Sequence, residues 1–317
     1  MRRRTLLATT LAAPLAMPFL SRQARADDVV IRMGVLKLIH SITPYFYEKF
    51  LPAGYRVEIV PFEIPNDGKT AVVTKSVDFG TFGVAASIFS AVAHEPLVVI
   101  GSACNKGMAI VSAKASSINT IKDLKGTRVG IQPGSTQEVF LLERMRMEGL
   151  SAKDITNVRV SFSEMHAALA RGDIDAYVGA EPGPGISLST GIGKIVEYPY
   201  STAMGSLNMI IATNHDTVEQ KPELCKIMVD VQRKASAYAM SNPDAMMDMT
   251  TAKLGQKREA LKFSVPNVDL NWKMTPEMLA QCQAYAEQML ALKQIKAIPD
   301  MKALFDPRFS DEVAKSV

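Results

Sequence analysis

A short polar stretch is the strongest candidate for ligand chemistry in this sequence. Ser135, Thr136 and Gln137 follow a Pro-Gly turn and open an amphipathic segment. Glu138 lies three residues after Ser135, and this capping-box spacing predicts that a helix begins here. A helix start that follows a strand and a tight turn carries free backbone N–H donors, which suit a small anionic or polar ligand. Taken alone, the stretch is more typical of an ordinary strand–helix turn in an α/β domain.

The other reactive residue types form no catalytic or metal-binding pattern. The three cysteines, Cys104, Cys225 and Cys282, are far apart, and neither Cys-x-x-Cys nor His-Glu-x-x-His spacing occurs. The four histidines form no motif either. We therefore expect no metal, no cofactor and no catalysis. A disulfide between Cys225 and Cys282 is an open alternative to three separate thiols, which we favour.

The first 26 residues have the pattern of an export signal. Arginines at 2–4 precede an apolar, Ala-rich run at 6–20, and Ala-Arg-Ala at 24–26 forms a cleavage site. We predict cleavage after Ala26. The order Arg-Arg-x-Leu-Leu resembles a twin-arginine (Tat) signal, with a Sec signal as the alternative. Because no cysteine near the cleavage site could carry a lipid, we expect a soluble periplasmic protein.

The overall charge of +4 comes from this leader. Without its five arginines, 31 basic and 32 acidic residues remain, so the rest of the chain is close to neutral. We find no basic stripe interleaved with aromatic residues and expect no nucleic-acid partner. At 317 residues, 47% of them hydrophobic, the chain is long enough for one large or two medium domains.

Predicted strands and helices alternate over the first two thirds of the chain, and this order is typical of an α/β domain with parallel strands. The main predicted strands are 29–36, 55–61, 77–82, 97–101, 158–162, 173–178 and 207–212. The last third is predicted to be almost all helical, at 221–240, 243–254, 256–263 and 276–292. Methionine is frequent there, which is typical of an adaptable core.

A Gly- and Pro-rich segment follows the strand predicted at 173–178. Residues 179–185 read Gly-Ala-Glu-Pro-Gly-Pro-Gly, and this composition predicts a loop without regular structure. Loops at strand ends often line a cleft, so this segment is a second candidate for ligand contact. The strand at 207–212 is then predicted to be the return crossing between two lobes.

Several motifs occur in an order that resembles one protein family. Lys-Asp-Leu-Lys-Gly at 122–126 leads into Val-Gly-Ile at 129–131, and Ala-Leu-Ala-Arg-Gly-Asp-Ile-Asp-Ala spans 168–176. Glu-Pro follows at 181–182. The series resembles the type II substrate-binding proteins of ABC importers. It is most similar to the NMT1-like branch, which binds nitrate, taurine, alkanesulfonates and thiamine-pyrimidine precursors.

This resemblance implies an α/β fold with two lobes, the Venus flytrap architecture, and two hinge crossings. Residues 1–26 would be the signal peptide, 27–107 plus 208–317 the first lobe, and 108–207 the second lobe. The implied function is transport. A monomeric receptor would clamp a small polar solute, sulfonate- or taurine-like or a related anion, and deliver it to an ABC permease and its ATPase.

Two alternatives stay open at this point. The ligand could be a nitrogen heterocycle, such as a thiamine-pyrimidine precursor, or an aromatic carboxylate. The chain could also be an enzyme on the same fold, although it lacks the clustered cysteines of the thiamine-pyrimidine synthases.

The resemblance also implies a cleft lined by loops at the carboxyl ends of strands. Carried over position by position, the implied ligand-binding residues are Lys37, His40, Ser41, Thr43, Gly83, Ala85, Ala86, Ser87, Asn105, Ser135, Thr136, Gln137, Glu181, Ser206 and Asn208. Lys37 would suit an anion. Glu181 would either brace the hinge or accept a hydrogen bond from a ligand amine, and Asn105 would contact the ligand or brace the hinge. Ser87 could instead be only a helix cap.

Overall fold

The computed structural model describes residues 28–316, so the signal peptide predicted at 1–26 lies outside the described part. The strands are β1 (Val29–Leu36), β2 (Tyr55–Phe62), β3 (Phe79–Gly83), β4 (Leu97–Lys106), β5 (Met108–Ala113), β6 (Arg128–Ile131), β7 (Thr156–Arg159), β8 (Ala176–Ala180), β9 (Gly193–Glu197), β10 (Leu207–Asn214) and β11 (Val268–Leu270). The α-helices are α1 (Pro65–Val73), α2 (Val84–Val92), α3 (Thr136–Met147), α4 (Met165–Arg171), α5 (Gly183–Ser189), α6 (His215–Gln220), α7 (Pro222–Ser241), α8 (Pro243–Leu254), α9 (Arg258–Ser264), α10 (Pro276–Ala291), α11 (Met301–Leu304) and α12 (Arg308–Lys315). Short 3-10 helices span Ile39–Ser41, Thr43–Lys49, Ile121–Leu124, Ala152–Asp154 and Val265–Asn267.

These strands form two mixed sheets. The six-stranded sheet has the order β11-β4-β10-β3-β1-β2, and the five-stranded sheet has the order β7-β6-β8-β5-β9. We call the six-stranded sheet and the helices on it the first lobe, and the five-stranded sheet with its helices the second lobe. β1 is parallel to β2 and β3, and β6 is parallel to β7 and β8. The predicted α/β class is confirmed.

The central strands of the first lobe are fully buried. All five residues of β3 and all eight residues of β10 are buried, as expected for strands with helices on both faces. β10 lies between β3 and β4 and is antiparallel to both. The strand predicted at 207–212 therefore completes the middle of the first sheet.

The Met-rich last third of the chain contributes to the core, as its composition predicts. Met228, Met246, Met278 and Met289 are buried in the same apolar cluster as the strands of the first lobe. Their unbranched thioether chains fill irregular gaps between helices. Within the described residues, no helix is long and apolar enough to cross a membrane.

The three cysteines lie apart from one another as buried thiols. Cys104, Cys225 and Cys282 are all free. The disulfide that the sequence left open between Cys225 and Cys282 is therefore not formed.

The C-terminal segment reaches the second lobe in addition to the two crossings that the resemblance implies. β4 passes into β5 through Gly107, whose φ is +75°, and residues 198–206 lead from β9 back to β10. Beyond these, α9 packs against α5 of the second lobe, whereas β11 pairs with β4 of the first. The lobe boundaries at 27–107 plus 208–317 and at 108–207 stay a prediction.

The loop predicted at 179–185 is wrong in its second half. α5 begins at Gly183 and carries Pro184 in its first turn, where a missing backbone N–H costs no helical hydrogen bond. α2 begins at Val84, directly after the last residue of β3. α5 likewise begins close to a buried strand, separated by two residues from the end of β8 at Ala180.

Candidate functional site

Two helix starts, one from each lobe, meet at the boundary between the lobes. α2 begins after Gly83 in the first lobe, and α3 begins after Ser135 in the second. The Ala85 backbone N–H donates to Thr136 Oγ1 at 3.3 Å. A Cβ atom on Gly83 would lie only 2.5 Å from Thr136 Oγ1, so this approach needs a glycine. The structure thus brings together Gly83, Ala85 and Thr136, and Ala86 is buried in the same first turn of α2.

The start of α3 is fixed by its own side chains. Ser135 Oγ accepts from the Glu138 N–H at 3.2 Å, which confirms the predicted cap. The second half of the capping box is displaced by one residue, because Glu138 Oε2 accepts from the Gly134 N–H at 2.7 Å. Burial raises the pKa of Glu138, while the Gly134 N–H and the charge of Arg159 oppose that rise.

Gln137 connects α3 to the first lobe. Its Nε2 donates to Asn208 Oδ1 at 3.4 Å, and Asn208 Nδ2 donates to the Lys106 carbonyl at 2.6 Å. Asn208 is fully buried, and Gln137 is 3% exposed. This chain of contacts joins the start of α3 to the first crossing through the predicted residues Gln137 and Asn208.

The two helix starts share one electrostatic preference. α2 has nine residues and α3 has twelve, and the N-terminus of such a helix carries roughly half a positive elementary charge. The first N–H groups of each helix have no partner within the helix itself. Two such ends that converge from different lobes favour an anionic group between them.

His40, Ser41 and Thr43 lie in the turns that follow β1, and all three are fully buried. Thr81 Oγ1 donates to Ser41 Oγ at 3.1 Å. Among the described residues, neither ring nitrogen of His40 nor Thr43 Oγ1 has a hydrogen-bond partner. Burial lowers the pKa of His40 to about 4, although the backbone of Gly107 opposes this shift, so its ring is neutral at pH 7. His40 also packs under the first crossing, where a Cβ atom on Gly107 would lie 2.6 Å from its Nε2.

Lys37 and Ser87 are each engaged with another protein group. Lys37 Nζ pairs with Glu63 at 2.5 Å, and the two side chains are 47% and 53% exposed. Ser87 lies inside α2 and donates to the Val84 carbonyl at 2.7 Å. Since α2 begins at Val84, Ser87 is not the cap of this helix.

Glu181 is buried, and its carboxylate is held by protein donors. Oε2 accepts from the Gly185 N–H at 3.0 Å and from Ser264 Oγ at 2.7 Å. Oε1 accepts from Asn267 Nδ2 at 3.1 Å. Burial raises the pKa of Glu181, and these three donors oppose the rise. Of the two roles that the resemblance allowed, this geometry is that of a structural brace.

Asn105 and Ser206 line a separate polar cavity of about 270 Å³ next to the crossings. Asp269, Lys273 and Glu277 also line it, and Asn105 Nδ2 donates to Asp269 Oδ2 at 3.3 Å. The sequence reasoning missed these three charged residues. No local motif marks them, because they come from a segment far downstream of Asn105.

Residues 45–246 match the family model described as NMT1/THI5 like. The chain belongs to the NMT1/THI5-like family. A relative from Escherichia coli (strain K12), named "Putative aliphatic sulfonates-binding protein", is 28% identical to this NMT1/THI5-like protein over 185 residues. That match covers 56% of this chain and 58% of the relative, so the chain spans little more than half of the relative's length.

Two solved structures resemble this NMT1/THI5-like protein over most of its length. The alkanesulfonate-binding protein SsuA from Xanthomonas axonopodis pv. citri, bound to MOPS, has a TM-score of 0.78 and 18% identity, covering 89% of this chain and 99% of that chain. The periplasmic nitrate-binding protein NrtA from Synechocystis PCC 6803 has a TM-score of 0.74 and 14% identity, covering 92% and 89%. At these identities the likeness shows the fold, which is the predicted two-lobe fold of type II periplasmic binding proteins.

Proposed function

We propose that this NMT1/THI5-like protein is the exported solute receptor of an ABC importer. It clamps a small anion of the sulfonate or taurine type between its lobes and delivers it to an ABC permease and its ATPase. The observation that carries this proposal is the meeting of the α2 and α3 starts at Ala85 and Thr136. A solute bound there would contact both lobes and so favour their closure.

The names of the relatives support an anionic solute. They refer to aliphatic sulfonates, an alkanesulfonate and nitrate. The oxygens of such anions accept hydrogen bonds from backbone N–H groups and hydroxyls without any proton transfer. The helix starts of this chain supply donors of that kind.

The contacts of Glu181 argue against the nitrogen heterocycle as the better ligand. Its carboxylate already accepts from three protein donors, so recognition of a ligand amine by Glu181 would break the brace. Tyr177 of β8 is buried with its hydroxyl 2.8 Å from Ser187 Oγ, so its ring is not open for stacking on a planar ligand. A non-enzymatic role is supported by the cysteines, because burial raises the pKa of all three thiols.

A thermal-shift panel on the mature chain tests the ligand class. We expect taurine, alkanesulfonates or nitrate to raise the melting temperature in a concentration-dependent way. At a hundredfold excess over Kd, the bound ligand should raise the free energy of unfolding by about 2.7 kcal/mol. The same panel contains aromatic carboxylates and aminopyrimidines. A response to a neutral heterocycle together with none to any anion would overturn the anionic proposal.

A matched pair of variants tests the place of binding. Gln137→Leu removes the amide at the start of α3, and we expect it to weaken binding of the responding anion at least about tenfold, the effect of roughly 1.4 kcal/mol. Gln220→Leu changes an exposed glutamine of α6 and should leave the affinity unchanged. Equal affinities for both variants in calorimetric titrations would show that the solute binds elsewhere.

A further inference from the structure

Three segments that pass between the lobes meet at one asparagine. Asn267 ends the 3-10 helix Val265–Asn267 and is 8% exposed. Its backbone carbonyl accepts from the Gly107 N–H at 2.6 Å, and Gly107 is the first crossing. Its Oδ1 lies 2.9 Å from the hydroxyl of Tyr200, which belongs to the return crossing. The two crossings are thus tied to a third segment.

The side-chain amide of Asn267 extends this tie to the second lobe. Nδ2 has two hydrogens, and its two acceptors are Glu181 Oε1 at 3.1 Å and the Met108 carbonyl at 3.2 Å. The Met108 N–H in turn donates to the Tyr200 hydroxyl at 3.0 Å. The amide therefore uses both of its N–H donors. Its Oδ1 shares the single hydroxyl hydrogen of Tyr200 with the Met108 carbonyl, which lies 2.8 Å from that hydroxyl.

Helix α9, just before Asn267, is docked on the second lobe. Ser264 Oγ donates to the buried Glu181 carboxylate at 2.7 Å. A Cβ atom on Gly185 of α5 would lie 2.7 Å from the Ala260 carbonyl, so the two helices approach as closely as their backbones allow. A buried carboxylate and a close backbone contact together hold α9 in place.

The residues just after Asn267 are held by the first lobe instead. In β11, Val268 pairs with Lys106 and Leu270 pairs with Cys104, both in β4. Asn267 is therefore the residue at which this segment leaves one lobe and joins the other.

We propose that residues 258–270 form a third interlobe arm and that Asn267 is the positioning residue that sets the angle between the lobes. Within the described part of the chain, Asn267 makes no hydrogen bond to the α2 and α3 starts. It acts through the backbone of the crossings, so its loss alters the preferred lobe angle without removing any contact to a solute at the helix starts.

Distance measurements between spin labels on the two lobes test this arm in the full mature chain. Labels on Gln220→Cys in the first lobe and Lys153→Cys in the second report the angle, because both positions are exposed and the three native thiols are buried. No solute is added, so the result does not depend on the proposed transport function. We expect Asn267→Ala to broaden the distance distribution and lengthen its mean. Asn157→Ala, at an exposed asparagine of β7, should leave the distribution as in the wild type.

A milder variant keeps the test decisive if Asn267→Ala does not fold. Tyr200→Phe removes one hydroxyl that faces both Asn267 and Met108, and we expect a smaller broadening in the same direction. In the Asn267→Ala background, Tyr200→Phe should add less than it does alone, since the two residues share one hydrogen bond. A folded Asn267→Ala or Tyr200→Phe protein with the wild-type distribution would overturn the proposal, even if its melting temperature were lower.

Discussion

At the scale of single residues, burial decides what His40 and Glu181 can do. Both follow strand ends. The family resemblance implied ligand contact for His40, and for Glu181 either ligand contact or a hinge brace. Glu181 is surrounded by three donors from the protein, whereas the ring nitrogens of His40 have no hydrogen-bond partner among the described residues. A buried carboxylate with such partners braces the fold. A buried imidazole without hydrogen-bond partners favours the neutral form, so acid lowers the stability of the folded protein.

His40 should make the protein sensitive to mild acid. Its pKa is about 4 in the folded chain against 6.5 in the unfolded chain, so below pH 6.5 the unfolded state takes up a proton that the folded state does not. Stability from this group is complete above pH 6.5 and declines as the pH falls toward 4, by a total of about 3 kcal/mol. Urea unfolding at pH 7.5, 6.0 and 4.5 measures the decline.

Two histidine variants separate this effect from the others. His40→Gln should flatten the pH dependence of the unfolding free energy in that window. His215→Gln, at a side chain that is 56% exposed, should keep the wild-type slope. A slope that is the same in His40→Gln and in the wild type would show that His40 titrates alike in both states.

At the scale of helices and strands, local patterns predicted what depends on local contacts. Ser135 caps α3 by accepting from the N–H of a residue three positions away, and this spacing alone predicts the cap. α5 was predicted as a loop because its Gly and Pro residues are usually unfavourable in helices. The partners that hold it lie elsewhere: Ser264 and Asn267 reach Glu181 from 83 and 86 positions away.

Those candidate site residues that lie at helix starts could be predicted from the sequence, whereas those on the short strand β11 and just after it could not. The residues at the starts of α2 and α3 were both assigned to the ligand cleft, and the structure places Ala85 and Thr136 in contact. Their role in ligand binding stays a prediction. The charged wall at Asp269 and Lys273 was missed, since the strand β11 that carries the first of them has only three residues. A strand of this length has too few positions for an alternating pattern to be recognised.

Gly185 should be essential for the packing of α5 on α9. In Gly185→Ala the new methyl group would overlap Ser264 Oγ and lie 2.7 Å from the Ala260 carbonyl, and we expect a loss of about 1–3 kcal/mol. Gly183→Ala is the matched control, because its Cβ atom would meet nothing closer than 3.7 Å. Urea unfolding of the two variants measures the difference, and equal stabilities would contradict this account of the helix contact.

At the scale of the whole molecule, small residues set how closely the lobes approach. Gly83 faces Thr136 across the boundary, and a Cβ atom on Gly134 would lie 3.4 Å from Asn66 Nδ2. At both glycines an element of one lobe approaches an element of the other. A larger residue at either position would keep the lobes farther apart, whatever the crossings allow.

Gly83→Ala should hold the lobes farther apart. Its methyl group would lie 2.5 Å from Thr136 Oγ1, so we expect a larger radius of gyration in small-angle scattering and weaker binding of the responding solute. Thr136→Ala in the same chain removes that oxygen and should restore the compact form. Gly68→Ala, with no neighbour nearer than 3.7 Å, serves as the control. Identical scattering from Gly83→Ala and the wild type would contradict the steric argument.

The place of β10 in the first sheet has a consequence for the order in which the nascent chain can fold. β10 lies between β3 and β4, and Thr213 of β10 pairs with Val98 of β4. This pairing cannot form until Thr213 has been synthesised. The five-stranded sheet is built from the uninterrupted stretch 108–197. Pairings between strands that are distant in sequence form slowly. The second lobe can therefore complete its folding on the ribosome while the first lobe still lacks its middle strand β10 and its edge strand β11. A nascent chain therefore carries an incomplete first lobe until Leu270 of β11 has been synthesised.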